Sequence, residues 1–288
     1  QLGSVHLWGG TDFDDGVALV KEAILNGVNF FDTAPGYGNG LSEKIIGEAI
    51  QGNRENVIVN TKFGHTKDGT DFRVGSIEKR ILESCKSLQT TYIDSFILHN
   101  PEQYILKGET NHFTELKRMK DKGLIKAYGV SVDSLNELKL ILGHVELDVI
   151  EVMFNIIHQD VSQVFKELKK QNVSLIIKVP LDSGWLTGKY NEDSTFTGIR
   201  SRWSKETINY RGKIIGKIKK ITKDDNLLKY ALSFIKSYPE VTTIIPGIKN
   251  KEQLLSNIEA ISYDMPIQIK TDLIRLYENF ISKTDTPW

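Results

Sequence analysis

Three apolar runs of the chain end in residues that can carry or move a proton. Asp32 closes NFFD, Lys62 closes VIVNTK and His99 closes SFILH, and Tyr37 follows Asp32 by five residues. A carboxylate, an ammonium, an imidazole and a phenol in one place can hold charge, shift one another's pKa and hand a proton to an oxygen. Taken singly, each has a plainer account. A strand-end Asp caps a helix, a Lys is solvated, a His makes a structural hydrogen bond, and a loop Tyr packs. Their recurrence at the ends of three successive runs favours a shared site. His6, His65, His112, His144 and His158 show no metal-ligand spacing, and no metal is expected. His65, three residues past Lys62, either lines the pocket or, the favoured reading, is a solvated loop residue.

The elements that must position these residues follow from hydrophobic periodicity. Eight short runs rich in Val, Ile and Phe lie at 4–10, 29–34, 57–63, 92–99, 126–132, 148–155, 173–180 and 241–247. Continuous apolar runs suit strands buried on both faces, as in a parallel sheet. Helical patterns separate them at 13–26, 42–51, 74–89, 111–122, 134–142, 160–171, 225–237 and 251–261. Gly27, Gly52, Gly123 and Gly143 fit helix C-caps, and Ser42, Asp160 and Asn250 fit N-caps. Eight such units in 288 residues predict a (β/α)8 TIM barrel with one extra C-terminal helix at 267–283, forming a single domain over 1–288. The interval 181–224 is long and holds a basic helical pattern near 205–221. Active sites of this fold lie at the C-terminal ends of the strands, where Asp32, Lys62 and His99 fall.

Composition narrows the function. Lys plus Arg and Asp plus Glu both number 37, so nothing points to a nucleic-acid partner or a polybasic membrane surface. No apolar run approaches the roughly 18 residues of a membrane span. The opening QLGSVHLWGG has no signal-peptide pattern and no Met, so a cytoplasmic protein with residues missing before Gln1 is expected. The single cysteine, Cys85, excludes an internal disulfide framework and sits on the apolar face of a helical pattern, as a buried small side chain would. Trp8 ends the first run and either walls a substrate pocket or packs, while Trp185, Trp203 and Trp288 have no assigned place.

FFDTAPGYGNGLSEKIIGEAI strongly resembles the aldo-keto reductase signature around its Asp and Tyr. NTKFG resembles that family's Lys strand and ILHNP its His strand. YGVS at 128–131, VPLDSGWLTGKY at 179–190 and IIPGIKNKEQLLSN at 244–257 extend the resemblance over nearly the whole chain. The resemblance implies a nicotinamide cofactor, NADPH with NADH possible, and hydride transfer to a carbonyl carbon. It makes Tyr37 the general acid, its pKa lowered by Lys62, with Asp32 holding Lys62 and His99 orienting the carbonyl. Trp8, Tyr37 and His99 would line the substrate pocket. Asp32, Ser131, Glu151 and Lys178 would meet the nicotinamide end. Leu181, Ser183, Gly184 and Leu186 lie in the segment that folds over the pyrophosphate. Gly247, Lys249, Gln253 and Asn257 would form the adenosine pocket.

The chain departs from the family pattern at both cofactor ends. Val132 stands where Asn is frequent, Glu151 where a carboxamide-binding Gln stands, Lys178 where an aromatic ring stacks, and Gly247 where a Lys meets the 2′-phosphate. A carboxylate can accept from the carboxamide NH2 but cannot donate to its oxygen. The substrate expected is a small aldehyde, ketone or sugar carbonyl, or the corresponding alcohol. The alternative is a cofactor-binding regulatory relative that acts through protein partners. A different (β/α)8 enzyme is disfavoured because no acidic metal cluster is present. The oligomeric state stays open.

Overall fold

Parallel strands buried on both sides need helices to cover them, and the alternating pattern supplies one after nearly every strand. A computed structural model describes residues 12–66 and 69–284. Its strands are β1 (Phe30–Asp32), β2 (Ile58–Phe63), β3 (His65–Thr66), β4 (Gly69–Thr70), β5 (Ile93–His99), β6 (Ile125–Val132), β7 (Val149–Met153), β8 (Ser174–Lys178) and β9 (Val241–Ile244). Seven of them form one sheet in the order β1-β2-β5-β6-β7-β8-β9, and every pair in it is parallel. β3 and β4 form a small antiparallel hairpin beside it. The run at 4–10, with Trp8, lies outside the described residues, as does Trp288.

The sheet curls on itself. Ile97, Val149 and Ile176 form an inner cluster against which Phe30 of β1 and Ile245, just past β9, both pack. Two residues from opposite edges of the sheet meet there only if the edges have come round toward each other. The larger core lies outside the sheet, between strands and helices. Close strand approach has a local requirement at Gly129, where an added Cβ would lie 1.7 Å from the Val149 carbonyl oxygen.

Around the sheet lie α1 (Phe13–Leu25), α2 (Leu41–Ala49), α3 (Ile77–Ser87), α4 (Gln103–Leu106), α5 (His112–Asp121), α6 (Leu135–Ile141), α7 (Phe165–Lys170), α8 (Lys205–Thr222), α9 (Leu228–Lys236), α10 (Lys251–Ser262) and α11 (Ile267–Asn279). The last is the extra helix expected at 267–283. Asn250 caps α10 as expected, its side chain accepting from the Gln253 N–H. Two expected caps are corrected. α2 starts from left-handed Gly40, and Ser42 is buried inside it, accepting from the Thr33 hydroxyl at 2.8 Å. Asp160 begins a 3-10 turn, and the α-helix of that unit starts only at Phe165. Cys85 is buried, with its thiol pKa pushed up to about 11 by burial. No described helix is long and apolar enough to cross a membrane.

Candidate active site

Strand register places the site. Asp32 pairs with Asn60, Lys62 with Ile97, His99 with Ser131, Ser131 with Glu151, and Met153 with Lys178. Ile97 belongs to the inner cluster, so the period of two turns Asp32, Asn60, Lys62, His99, Ser131, Glu151 and Lys178 to the same inner face. They crown the hydrophobic floor at the C-terminal ends of their strands. Six strands thus hold groups that the sequence assigned to chemistry or to the nicotinamide end.

Lys62 is the hub. Its side chain is fully buried, and Nζ donates to Asp32 Oδ1 at 2.5 Å and to the Thr33 carbonyl at 3.0 Å, with Glu151 Oε2 at 3.4 Å. Asn60 Nδ2 bridges the same two carboxylates, at 2.7 Å from Asp32 Oδ1 and 3.3 Å from Glu151 Oε2. Burial alone would pull the ammonium down, yet Asp32, Glu151 and Tyr37 outweigh it and raise Lys62 above its ordinary value. Lys62 therefore stays charged at any physiological pH. Asn60 was not singled out in the sequence. It is a polar residue two positions before Lys62 in an otherwise apolar run, and that spacing was the available signal.

Tyr37 opens the 3-10 turn Tyr37–Gly40, whose Gly38 and Asn39 have positive φ and swing the chain back toward α2. Lys62 Nζ lies 5.1 Å from the Tyr37 ring centre, and the His99 ring meets that ring edge-on at 6.0 Å. The expected lowering of the Tyr37 pKa does not prevail. Burial pushes the phenol up to about 12, because the pull of Lys62 is opposed by Asp32 and Glu151. His99 moves the other way, down to about 2, through burial and then the charges of Lys62, Lys178 and His65. Its Nδ1 is buried and has no partner among the described residues.

His65 corrects the favoured reading of it. It is half-buried on β3, edge-on to His99 at 5.0 Å and to Phe72 at 5.7 Å, with Nδ1 3.1 Å from the Thr70 hydroxyl. The β3–β4 hairpin holds it at the mouth of the site rather than in solvent.

Across the mouth, Ser131 Oγ donates to Glu151 Oε1 at 3.0 Å and accepts from Lys178 Nζ at 2.8 Å. Lys178 also pairs with Asp133 at 2.7 Å. Val132 is fully buried in the outer core and points away from this group.

The segment after β8 runs through left-handed Val179, Asp182, Ser183 and Gly184. A β-branched residue at positive φ is strained and must be held by its surroundings. Asn155 Nδ2 donates to the Val179 carbonyl at 2.9 Å, and Arg200 Nε to the Ser183 carbonyl at 2.9 Å. Buried Asp182 pairs with buried Arg211 of α8. Leu186 is fully buried, so only its backbone can face a ligand, while Leu181, Ser183 and Gly184 are half-buried. At the far end, Gly247 and Lys249 are exposed. The Lys249 N–H donates to Gln253 Oε1 at 3.0 Å. Asn257, one turn on from Gln253, is 8% exposed, yet its Nδ2 has no partner among the described residues.

An L-galactose dehydrogenase of Arabidopsis thaliana is 31% identical over 272 residues, covering 91% of this chain and 82% of the relative. A glycerol dehydrogenase of Gluconobacter oxydans superposes with a TM-score of 0.80 at 24% identity, covering 99% of this chain and 92% of that one. An aldo/keto reductase of Klebsiella pneumoniae, solved in complex with NADP and acetate, superposes with a TM-score of 0.72 at 18% identity, covering 94% and 89%. The shared fold is the (β/α)8 barrel. The family profile described as "Aldo/keto reductase family" matches residues 1–271, and the chain belongs to that family of oxidoreductases acting on carbonyl substrates.

Proposed function

We propose that the chain interconverts a carbonyl and its alcohol with a nicotinamide cofactor, NADPH by preference, on a polyhydroxylated substrate of the sugar or polyol class. One observation carries the reading. A buried ammonium, fixed by Asp32 at 2.5 Å, sits beneath a Tyr ring whose other neighbour is a neutral His, all on the inner rim of the barrel.

The residues fit the cofactor. Asn257 keeps a buried amide donor without a partner among the described residues, which a heteroaromatic base would satisfy. Apart from its chain neighbours, no described residue comes within 4 Å of a Cβ added at Gly247, so a ligand has room beside that backbone. Lys249 is exposed next to it and offers a cation to a phosphate. When bound, the nicotinamide supplies the hydride.

The chain's own groups manage the rest. Tyr37, protonated across the physiological range, donates its proton to the oxygen that gains charge in reduction. Lys62 stabilises the phenolate left behind, and this compensates for a phenol that burial makes reluctant. Asp32 and Asn60 hold Lys62 in place. His99 is neutral, so it orients the oxygen by a hydrogen bond without competing for the proton. The L-galactose dehydrogenase named above supports the substrate class by name.

The test is fluorescence titration with NADPH and NADH, followed by turnover on a panel of aldoses, polyols and simple carbonyls at the nicotinamide absorbance band. Binding with turnover on hydroxylated substrates is expected. Binding without turnover on any of them would favour the regulatory alternative, and no binding would overturn the reading.

A further inference from the structure

Glu151 and Lys178 are charged side chains of the mouth to which the proton chemistry gives no step, and one hydroxyl joins them. Ser131 accepts from Lys178 Nζ at 2.8 Å and donates to Glu151 Oε1 at 3.0 Å. The charges around this chain are not balanced equally. Lys178 has its own counter-ion, Asp133, at 2.7 Å. Lys62 is a single ammonium between two carboxylates, at 2.5 Å from Asp32 and 3.4 Å from Glu151. With Glu151 ionised, the floor of the mouth holds one negative charge in excess. That charge is the less solvated one, since the Glu151 side chain is 3% exposed and that of Lys178 13%.

Nicotinamide changes charge in its reaction. The oxidised ring is a cation and the reduced ring is neutral, whereas the phosphates and adenosine are the same in both. A fixed charge near the ring therefore adds to the binding of one form alone, while hydrogen bonds at the far end add to both. We propose that Glu151 makes the mouth discriminate the oxidation state of the cofactor, its buried carboxylate favouring the cationic ring, and that Lys178, tied to it through Ser131, tempers the preference. The inference rests on the nicotinamide reading above. Glu151 and Lys178 are then positioning and specificity residues that set the relative affinity of the two cofactor forms.

Burial and Asp32 push the Glu151 pKa up, and Lys62 and Lys178 pull it back. The preference should accordingly be strongest at mildly alkaline pH, where the carboxylate is ionised.

The experiment measures Kd for NADP+ and NADPH, and for NAD+ and NADH, by quenching of protein fluorescence on the full chain at mildly alkaline pH. It compares wild type, Glu151→Gln and Lys178→Met, with circular dichroism to check folding. Glu151→Gln should weaken the oxidised form relative to the reduced form by roughly tenfold. Lys178→Met removes a cation and leaves Asp133 unbalanced, so it should move the ratio the other way by about threefold. A ratio unchanged in both variants, or both forms weakened equally, overturns the inference while the cofactor reading stands. No binding by wild type overturns both. Lys178 is partly exposed and carries the second arm even if Glu151→Gln fails to fold.

Discussion

Two groups of buried charges lie on the same end of this barrel, and they are built differently. In one, Asp182 and Arg211 are each fully buried and paired one to one, with His158 Nε2 3.5 Å from the other Asp182 oxygen. Trp185 and Trp203 are buried with ring centres 5.8 Å apart, and the Arg211 guanidinium lies 5.4 Å from the Trp203 ring centre. In the other, Lys62 serves two carboxylates, and Asn60, Tyr37 and His99 complete the group at the strand ends. The first group matches its fully buried charges one to one. It ties the strained segment after β8 to α8. The second has a carboxylate in excess and uncharged proton donors beside it. Burial of charge is common to both. The unmatched remainder, placed where a substrate can reach it, separates chemistry from scaffolding.

The sharpest way to break this contrast is Tyr37→Phe. Removing one hydroxyl from the mouth should cut carbonyl turnover about 10²–10⁴-fold. Steady-state kinetics would read the loss, with cofactor Kd and thermal stability close to wild type. Undiminished turnover would remove Tyr37 from the role of acid and leave the mouth no better assigned than the sealed pair.

The converse substitution acts on stability. Arg211→Met strands the Asp182 carboxylate in an apolar, fully buried place, at a cost of about 3–5 kcal/mol in urea unfolding. Replacing Asp182 by Asn in the same chain should recover part of that, because the amide leaves no buried ion and tolerates the left-handed backbone there. If Arg211→Met costs under about 1 kcal/mol, the pair is not what holds the loop.

What could be read in advance follows the same division. Asp32, Lys62 and His99 stood out because a strand covered on both faces is a continuous apolar run, so an ionisable residue at its end breaks the pattern. Tyr37 sits in a turn without periodicity and acquired its role only through the family resemblance. Asn60 and Glu151 lie inside apolar runs, and their inward direction needs the register that the sheet supplies. The Asp182–Arg211 pair spans 29 residues and left no local trace, since α8 reads simply as a basic helix. His65 reached the mouth through β3 and β4, each two residues long and too short to show alternation. Ser42 and Asp160 looked like caps because their residue types suit that role. In the fold, Gly40 supplies the turn before α2, and a 3-10 turn precedes α7.

The smallest effect concerns His99, and it asks whether the mouth truly holds its groups uncharged. Burial, then Lys62, Lys178 and His65, hold the imidazole at about 2, well under its ordinary value of 6.5. The folded chain therefore binds that proton less readily than the unfolded chain. Above the ordinary value both states are neutral and the contribution is fully present. As pH falls below it, the unfolded state gains a proton the folded state refuses, and stability declines. With its partial exposure allowed for, the decline attributable to His99 should be under about 1 kcal/mol per pH unit. His99→Asn should flatten that part of the acid limb in urea titrations between neutral pH and pH about 5. The kinetic counterpart is a null. A neutral His99 gives kcat/KM no inflection near its ordinary value, and its ring resonances stay still over the same range. An inflection there that vanishes in His99→Asn would mean that the imidazole charges in the working enzyme. The mouth would then carry a cation that offsets the excess carboxylate, and the difference between the two buried groups would shrink to one of exposure alone.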